Sequence, residues 1–182
     1  MPIRITGGMM RGRNVPSPDT SKTRPTASRT REALFNILQG VENFRVLDLF
    51  AGTGIMGIEA LSRGAASVVA VEMAHVQARL VLQAYKALSL ESKLTLLEKN
   101  ALALDKDALC AGGGFDLVYA DPPFKGMEYP DLRPYWEWLN PGGVAVFEAP
   151  SRDLPAWAKE AEIEGKLQIR RYGESSLLVY RS

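Results

Sequence analysis

Residues 45–60 read RVLDLFAGTGIMGIEA, and the rest of the chain is interpreted outward from them. Residues 46–50 are a short apolar run of strand character, residues 52–54 a glycine turn, and a helix opens near Ile55. Gly52 and Gly54 suit a turn that needs positive φ and leaves no side chain between backbone and ligand. Gly57, one helical turn on, allows the helix to lie close against the strand. The helix N-terminus presents free N–H groups, and Asp48 and Glu72 can add carboxylates around the same crevice. The stretch has the makings of a cofactor cradle.

Strand-like and helix-like segments alternate downstream of it. Strands are expected over 46–50, 67–72, 94–98, 115–120 and 144–148, with helical patterns near 55–63, 74–89, 101–110 and 128–139. That alternation implies right-handed βαβ units and a mainly parallel sheet covered on both faces. After a helix-like 151–162, strands over 167–172 and 176–181 are joined by Gly173-Glu174 and form an antiparallel hairpin. The expected fold is therefore α/β, an open seven-stranded, mostly parallel, Rossmann-like sheet with an antiparallel C-terminal hairpin. Upstream, residues 3–6 and 10–15 flank Gly7-Gly8 as a short basic β-hairpin, and 16–25 form a Pro/Ser/Thr-rich loop. Thr26 or Ser28 caps a helix running to about Leu38, with Leu34, Ile37 and Leu38 as its apolar stripe and Gly40 ending it. The domain organisation expected is a basic hairpin and loop over 1–22 and a single domain over 23–182.

The chain has 182 residues, 46% apolar and 24% charged, which suits one soluble globular domain. No apolar run approaches the roughly 18 residues of a membrane span, and MPIRITGG has no signal-peptide core. A single cysteine, Cys110, excludes an internal disulfide and fits a reducing cytoplasm. No Cys/His cluster offers a metal site. The net charge of +1 hides an asymmetry. Residues 1–31 hold seven basic residues against Asp19 alone and carry +6, leaving −5 for the remainder. A basic arm on a mildly acidic body is the pattern of a phosphate-backbone contact.

The glycine turn also satisfies G-x-G-x-x-G at Gly52, Gly54 and Gly57, and Glu72 follows 18 residues after Gly54. Dinucleotide binding is thus open, with Glu72 accepting from ribose hydroxyls. Two features favour another ligand. Asp48 lies four residues before the first glycine, lengthens the turn and places a carboxylate where a cationic ligand is welcome. Asp121-Pro122-Pro123-Phe124 directly follows the strand FDLVYA, and in a parallel sheet both turns belong at the carboxyl edge. An acidic, proline-stiffened, aromatic-ended loop has a clear use in holding a planar amine.

DLFAGTGIMGIEA (48–60), VEM (71–73), KNA (99–101) and DPPF (121–124) resemble the successive motifs of class I S-adenosylmethionine methyltransferases that methylate amino groups. RITGGMMRGRNV (4–15) and TRPTASRTREALFNIL (23–38), with DLFAGTGIMGIEALSRGA (48–65), further resemble the bacterial small-subunit (16S) ribosomal RNA guanine-N2 methyltransferase family, over residues 4 to about 148. The resemblance implies a Rossmann-like methyltransferase domain that uses S-adenosylmethionine. Asp48, Phe50, Ala51, Gly52, Thr53, Gly54 and Glu72 would line that cofactor, with Glu72 on the ribose. Met73 would pack on the adenine, and Asn100 with Ala101 would hydrogen-bond its edge. The sequence departs from the family pattern in Gln83-Ala84, where an asparagine is expected, and in Asn100, where aspartate is common in the wider class.

On this reading Asp121 and the Pro122 carbonyl accept hydrogen bonds from the target amine and direct its lone pair at the methyl. Pro122 and Pro123 hold that carbonyl in place. Phe124 stacks on a base flipped from its RNA context. Arg11, Arg13, Arg24, Arg29 and Arg31 contact ribosomal RNA, free or within an assembled small-subunit particle. His75 opens a helix as a solvent-facing residue, and Cys110 is a packing residue whose isolation argues against C5-pyrimidine methylation. Protein glutamine N5-methylation, DNA adenine-N6 methylation, a nicotinamide oxidoreductase and a non-catalytic RNA-binding module are the competing readings.

Overall fold

Apolar strand segments and the turns between them set the order of elements. The computed structural model describes residues 3–15, 28–123 and 128–182. The loop expected at 16–25, the cap at Thr26 and the RNA contact at Arg24 lie outside these residues, as does Phe124. In chain order the elements are β1 (Ile3–Arg4), β2 (Asn14–Val15), α1 (Ser28–Leu38), β3 (Arg45–Leu49), α2 (Ile55–Ser62), β4 (Ser67–Val71), α3 (His75–Ala87) and β5 (Leu94–Leu97). They continue with α4 (Lys106–Cys110), β6 (Phe115–Ala120), β7 (Leu139–Pro150), α5 (Ala156–Ile163), β8 (Leu167–Tyr172) and β9 (Ser175–Arg181). Seven strands form one sheet in the order β5-β4-β3-β6-β7-β9-β8, and β1 and β2 form a separate two-stranded sheet. The mostly parallel seven-stranded sheet with antiparallel C-terminal strands is the one expected. The chain divides into two compact units, Met1–Leu104 and Asp105–Ser182.

In the first unit β3 and β4 pair in parallel from Arg45↔Ser67 to Leu49↔Val71, and β5 runs parallel on the far side of β4. Both β3 and β4 are buried from their second residue onward, as a strand covered on both faces requires. Helix α2, IMGIEALS, is buried at all eight positions and so lacks a solvent face. In α3 the buried residues are Ala78, Val81, Ala84 and Tyr85, a single stripe at helical spacing. The expected basic hairpin is present, with Ile3↔Val15 and Arg4↔Asn14 as its antiparallel pairs. Ile3, Ile5 and Val15 are buried, so one face of the hairpin belongs to the core.

In the second unit β6 and β7 are parallel, while β9 runs antiparallel to both β7 and β8. Three helical expectations change here or at the unit boundary. The pattern over 101–110 splits into a 3₁₀ turn, Ala101–Ala103, and the short helix α4, because Asp105 caps α4 by accepting from Asp107 N at 3.0 Å. The pattern over 128–139 yields only a 3₁₀ segment, Arg133–Trp138, since Pro130 and Pro134 interrupt α-helical hydrogen bonding. Helix α5 starts at Ala156, after Pro155, later than the 151 expected. Strand β7 also begins at Leu139, ahead of the 144 expected, with the register to β6 shifting between Phe115 and Leu117. Asn140 Nδ2 donates to Asp116 Oδ1 at 2.8 Å across that irregularity.

Gly57 is required by packing. A Cβ there would stand 2.1 Å from the Tyr85 hydroxyl of α3 and 2.8 Å from Val68 Cγ1 of β4. The glycine thus admits a neighbouring helix and the next strand, where the sequence suggested only its own strand. Gly57→Ala is expected to destabilise the protein by about 1–3 kcal/mol through overpacking. Gly112→Ala, with nothing within 4 Å of its Cβ, serves as the neutral control. Urea denaturation of both variants checks this, and equal midpoints would contradict it.

Candidate functional site

The glycine turn connects β3 to α2 through an unusual run of backbone conformations. Gly52 and Gly54 have φ of 56° and 71°, as their sequence positions required, and Phe50 joins them at 57°. A left-handed phenylalanine is strained, and such strain persists only where its surroundings enforce it. Here Ala51 N donates to Val71 O at 2.9 Å and Gly54 N to Ala51 O at 2.7 Å, tying the loop to the end of β4. Gly54 is the N-cap of α2 and has no side chain with which to cap it.

Asp48 supplies the missing cap from beneath. Its Oδ2 accepts from Gly57 N at 3.2 Å, satisfying one of the amides that a helix N-terminus leaves open. The residue is 1% exposed, so it sits under the loop. Burial pushes the carboxyl up to about 7 from 3.8; the Gly57 amide opposes this and the Glu72 charge adds to it. Tyr85 is a second buried group with a polar atom beside Asp48. Burial and the nearby Asp48 charge raise its pKa well above 10, and among the described residues its hydroxyl has no hydrogen-bond partner.

Glu72 lies on the accessible side, half-buried just past β4. Its Oε2 accepts from Gly52 N at 3.0 Å and its Oε1 from Ala74 N at 2.8 Å. Each carboxylate oxygen keeps a lone pair for a further donor such as a ribose hydroxyl. Gln77 of α3, unremarked in the sequence, donates through Nε2 to the Gly52 carbonyl and braces the loop from the other side. Met73 is 70% exposed beside Glu72. After β5, Asn100 Oδ1 accepts from Leu102 N at 2.9 Å and caps the 3₁₀ turn that holds the buried Ala101. Ala51 and Thr53 are buried within the loop itself.

In the second unit, β6 delivers Asp121 half-buried, Pro122 buried and Pro123 exposed. Tyr129, which the sequence did not single out, donates to the Glu148 carbonyl at 2.8 Å. Burial first, then the charges of Asp121 and Glu148, hold the Tyr129 phenol far above its usual range, so it stays a neutral donor. Glu148, buried at 5% exposure on β7, accepts from the Tyr119 hydroxyl at 3.2 Å. Trp157 of α5 completes the surround, 6.2 Å between ring centroids from Tyr129 and donating to the Pro130 carbonyl at 3.2 Å. No spacing rule links these aromatic residues to the motif, and only the fold gathers them.

The arginines separate into two groups. Arg11, Arg13 and Arg29 are exposed. Arg31, expected on the surface, is 3% exposed, with Nε donating to Glu59 Oε1 at 3.3 Å and Nη2 to the Arg4 carbonyl at 2.9 Å. A guanidinium committed to a buried carboxylate faces no RNA, and Arg31 leaves the candidate set. His75 is solvent-facing as expected, with Nδ1 2.6 Å from Glu98 Oε2. Cys110 is half-buried at the end of α4.

A family model described as "Conserved hypothetical protein 95" matches residues 3–181. The ribosomal RNA small subunit methyltransferase D of Haemophilus influenzae is 34% identical over 158 residues, 84% of this chain and 81% of the relative. The chain belongs to this family. Its Escherichia coli counterpart of the same name is 41% identical over 128 residues, 68% of this chain, and the match spans 61% of that relative's length, under two thirds. Among solved structures, a hypothetical protein of Thermus thermophilus superposes with a TM-score of 0.78 at 26% identity, covering 99% of both chains. A T. thermophilus 16S rRNA N2 methyltransferase in complex with AdoMet and guanosine shares the fold, with a TM-score of 0.76 at 24% identity over 100% of this chain and 50% of that one.

In this family member the buried Asp48 carboxyl has a consequence for stability. Its folded pKa of about 7 exceeds the unfolded 3.8, so between these values the folded state binds the extra proton. Stability therefore falls as pH rises through this window and the full penalty is present above about 7. At 1.36 kcal/mol per unit the penalty is on the order of 4 kcal/mol. Asp48→Asn is expected to flatten the decline in thermal midpoint between pH 5 and 8 while retaining an acceptor for Gly57. An unchanged slope in the variant would contradict the assignment.

Proposed function

We propose that the protein transfers a methyl group from S-adenosylmethionine to the exocyclic N2 amine of a guanine in small-subunit ribosomal RNA. The observation that carries this reading is the half-buried Asp121 directly followed by two prolines at the end of β6, in a chain of this family. The glycine cradle supports the cofactor assignment: a Cβ at Gly52 would meet only the Phe50 carbonyl oxygen at 3.7 Å, so the backbone there is open to a ligand, while Gly54 is required by packing against Val81 and Tyr85. Glu72 offers its remaining lone pairs to ribose hydroxyls, and the exposed Met73 offers a sulfur and methylene surface to a flat ring. Ala101 and the Asn100 amide fit the ring's polar edge, Asn100 giving up its turn contact or donating through Nδ2. Asp48 acts from beneath the loop, capping α2 through the Gly57 amide, and a cationic ligand above it would favour its ionised form.

S-adenosylmethionine would supply an electrophilic methyl on sulfur, and the chain's own residues must orient the amine, which gains the methyl as the sulfur–methyl bond breaks and then loses one N–H proton to solvent. A guanine N2 lone pair is delocalised into the ring and attacks poorly. Asp121 and the Pro122 carbonyl, accepting from the two N–H groups, draw that lone pair out of conjugation and stabilise positive charge as it develops on nitrogen. Pro122 and Pro123 fix the carbonyl's direction, and Phe124 stacks on the base. The neutral Tyr129 phenol adds no competing charge beside Asp121. Arg11, Arg13, Arg24 and Arg29 contact the RNA backbone. Similarity to the ribosomal RNA small subunit methyltransferases D of Haemophilus and Escherichia favours ribosomal RNA over protein or DNA as substrate.

Asp121→Ala is expected to lower methyl transfer by at least a hundredfold, the scale of losing one preorganised charge-stabilising group. Its affinity for S-adenosylhomocysteine should stay within about twofold of wild type, as the cradle is untouched. Radiolabelled methyl transfer and equilibrium dialysis measure the two quantities, and wild-type turnover in the variant would overturn the role. Nucleoside mass spectrometry of small-subunit ribosomal RNA from a deletion strain should show loss of one N2-methylguanosine. Label appearing in protein, or as methyladenine in DNA, would replace the substrate assignment.

A further inference from the structure

The N-terminal hairpin is fastened to the body by a buried polar network. Glu59, on α2 and 0% exposed, accepts at Oε1 from Thr6 N at 2.7 Å and from Arg31 Nε at 3.3 Å, and at Oε2 from Arg63 Nε at 3.4 Å. Arg63 Nη2 continues to Thr6 Oγ1 at 3.1 Å, and Arg31 Nη2 to the Arg4 carbonyl at 2.9 Å. One turn further along α2, Ser62 Oγ donates to the Gly7 carbonyl at 2.6 Å and accepts from Met10 N at 2.9 Å. The Ser62 carbonyl accepts from Met9 N at 2.7 Å. The turn is seated so closely that a Cβ on Gly8 would stand 1.9 Å from the Ser62 carbonyl oxygen, and its φ is +75°.

What this network presents outward is of a different character. Met9 is 87% exposed, and Arg11 and Arg13 beside it are exposed as well. Met9 precedes both arginines along the seated turn, so one exposed thioether and two exposed guanidiniums share a short stretch of chain held against α2. Two guanidiniums suit phosphates, and an exposed thioether suits an unstacked base or a groove floor. We infer that Met9, Arg11 and Arg13 form a preorganised RNA-contacting edge and that Glu59 is its positioning residue. This rests on the RNA reading above and assigns it a structural means. RNA then meets an edge already ordered by α2, and the ordering cost that a loose basic arm would bear on binding is avoided.

The test compares three variants for binding to transcribed small-subunit ribosomal RNA and for steady-state methyl transfer. Arg11→Gln/Arg13→Gln should weaken RNA binding and lower the salt slope by about two, one per phosphate contact. Gly8→Ala, which forces the turn off Ser62 without touching a buried charge, should raise KM for RNA roughly tenfold through lost preorganisation, with kcat and S-adenosylhomocysteine affinity unchanged. Glu59→Gln keeps the side-chain shape but turns one of the two accepting oxygens into a donor facing an N–H, and should show the same split, with faster amide exchange at Thr6, Met9 and Met10. Because removing one partner of a buried ion pair can prevent folding, Gly8→Ala decides the matter if Glu59→Gln is unfolded. Loss of binding in the arginine variant with wild-type KM in Gly8→Ala would overturn the positioning role and leave the RNA reading standing. Wild-type RNA binding in the arginine variant would overturn the edge itself. Methyl transfer to no RNA by the wild-type enzyme would remove the reading on which the inference rests.

Discussion

A helix buried on every side must have its polar ends satisfied by groups that are buried too, and α2 is such a helix. At its N-terminus the Asp48 carboxylate reaches up from β3 to the Gly57 amide. Toward its C-terminus Glu59 and Ser62 receive the backbone of the N-terminal hairpin. The glycine cradle and the hairpin are therefore the two ends of one eight-residue element. The cradle's conformation depends on this helix staying in place, since the left-handed residues at 50, 52 and 54 lead directly into its first turn.

The cost of this arrangement is carried by Asp48. A carboxyl in so apolar a setting resists ionisation, and the same Gly57 amide that it caps only partly offsets the burial. Tyr85 shows the same tension, with its hydroxyl enclosed beside Asp48 and the Gly57 backbone. Concentrated polar burial of this kind is common where a protein holds a ligand, because a strained or under-satisfied group is relieved on binding. The Glu59 network is the contrasting case. Each Glu59 carboxylate oxygen accepts from a neighbouring donor, and the network fixes where the hairpin sits, since a buried ion pair by itself adds little net stability.

The second unit is built on the same economy, with aromatic residues in place of a helix. Tyr129, Tyr119 and Trp157 hand their polar atoms to Glu148 and Pro130, so that the chain returning from the Asp121 motif is anchored on β7 and α5. The two prolines after Asp121 remove freedom along the chain, and the Tyr129 hydrogen bond removes it across the chain.

Much of this was legible in the amino-acid order. Five apolar runs separated by helical patterns, closed by two strands around Gly173, determined an open α/β sheet, because period and burial on both faces are local properties of each segment. The positive φ at Gly52 and Gly54, the exposed His75 and the hairpin around Gly7-Gly8 followed from residue type alone. Other features were decided by tertiary packing. Phe50 takes a left-handed conformation that its side chain disfavours, because Val71 fixes the following amide. Prolines at 130 and 134 broke a helical pattern whose apolar spacing was otherwise sound. Arg31, a cation in a basic segment, became a core residue because Glu59, 28 positions away, is buried where the chain brings the two together. Asp48 gained a second partner, the Gly57 amide nine residues on, for the same reason. Sequence specifies which groups must be paired; only the fold specifies with whom, since partners across elements have no fixed spacing along the chain.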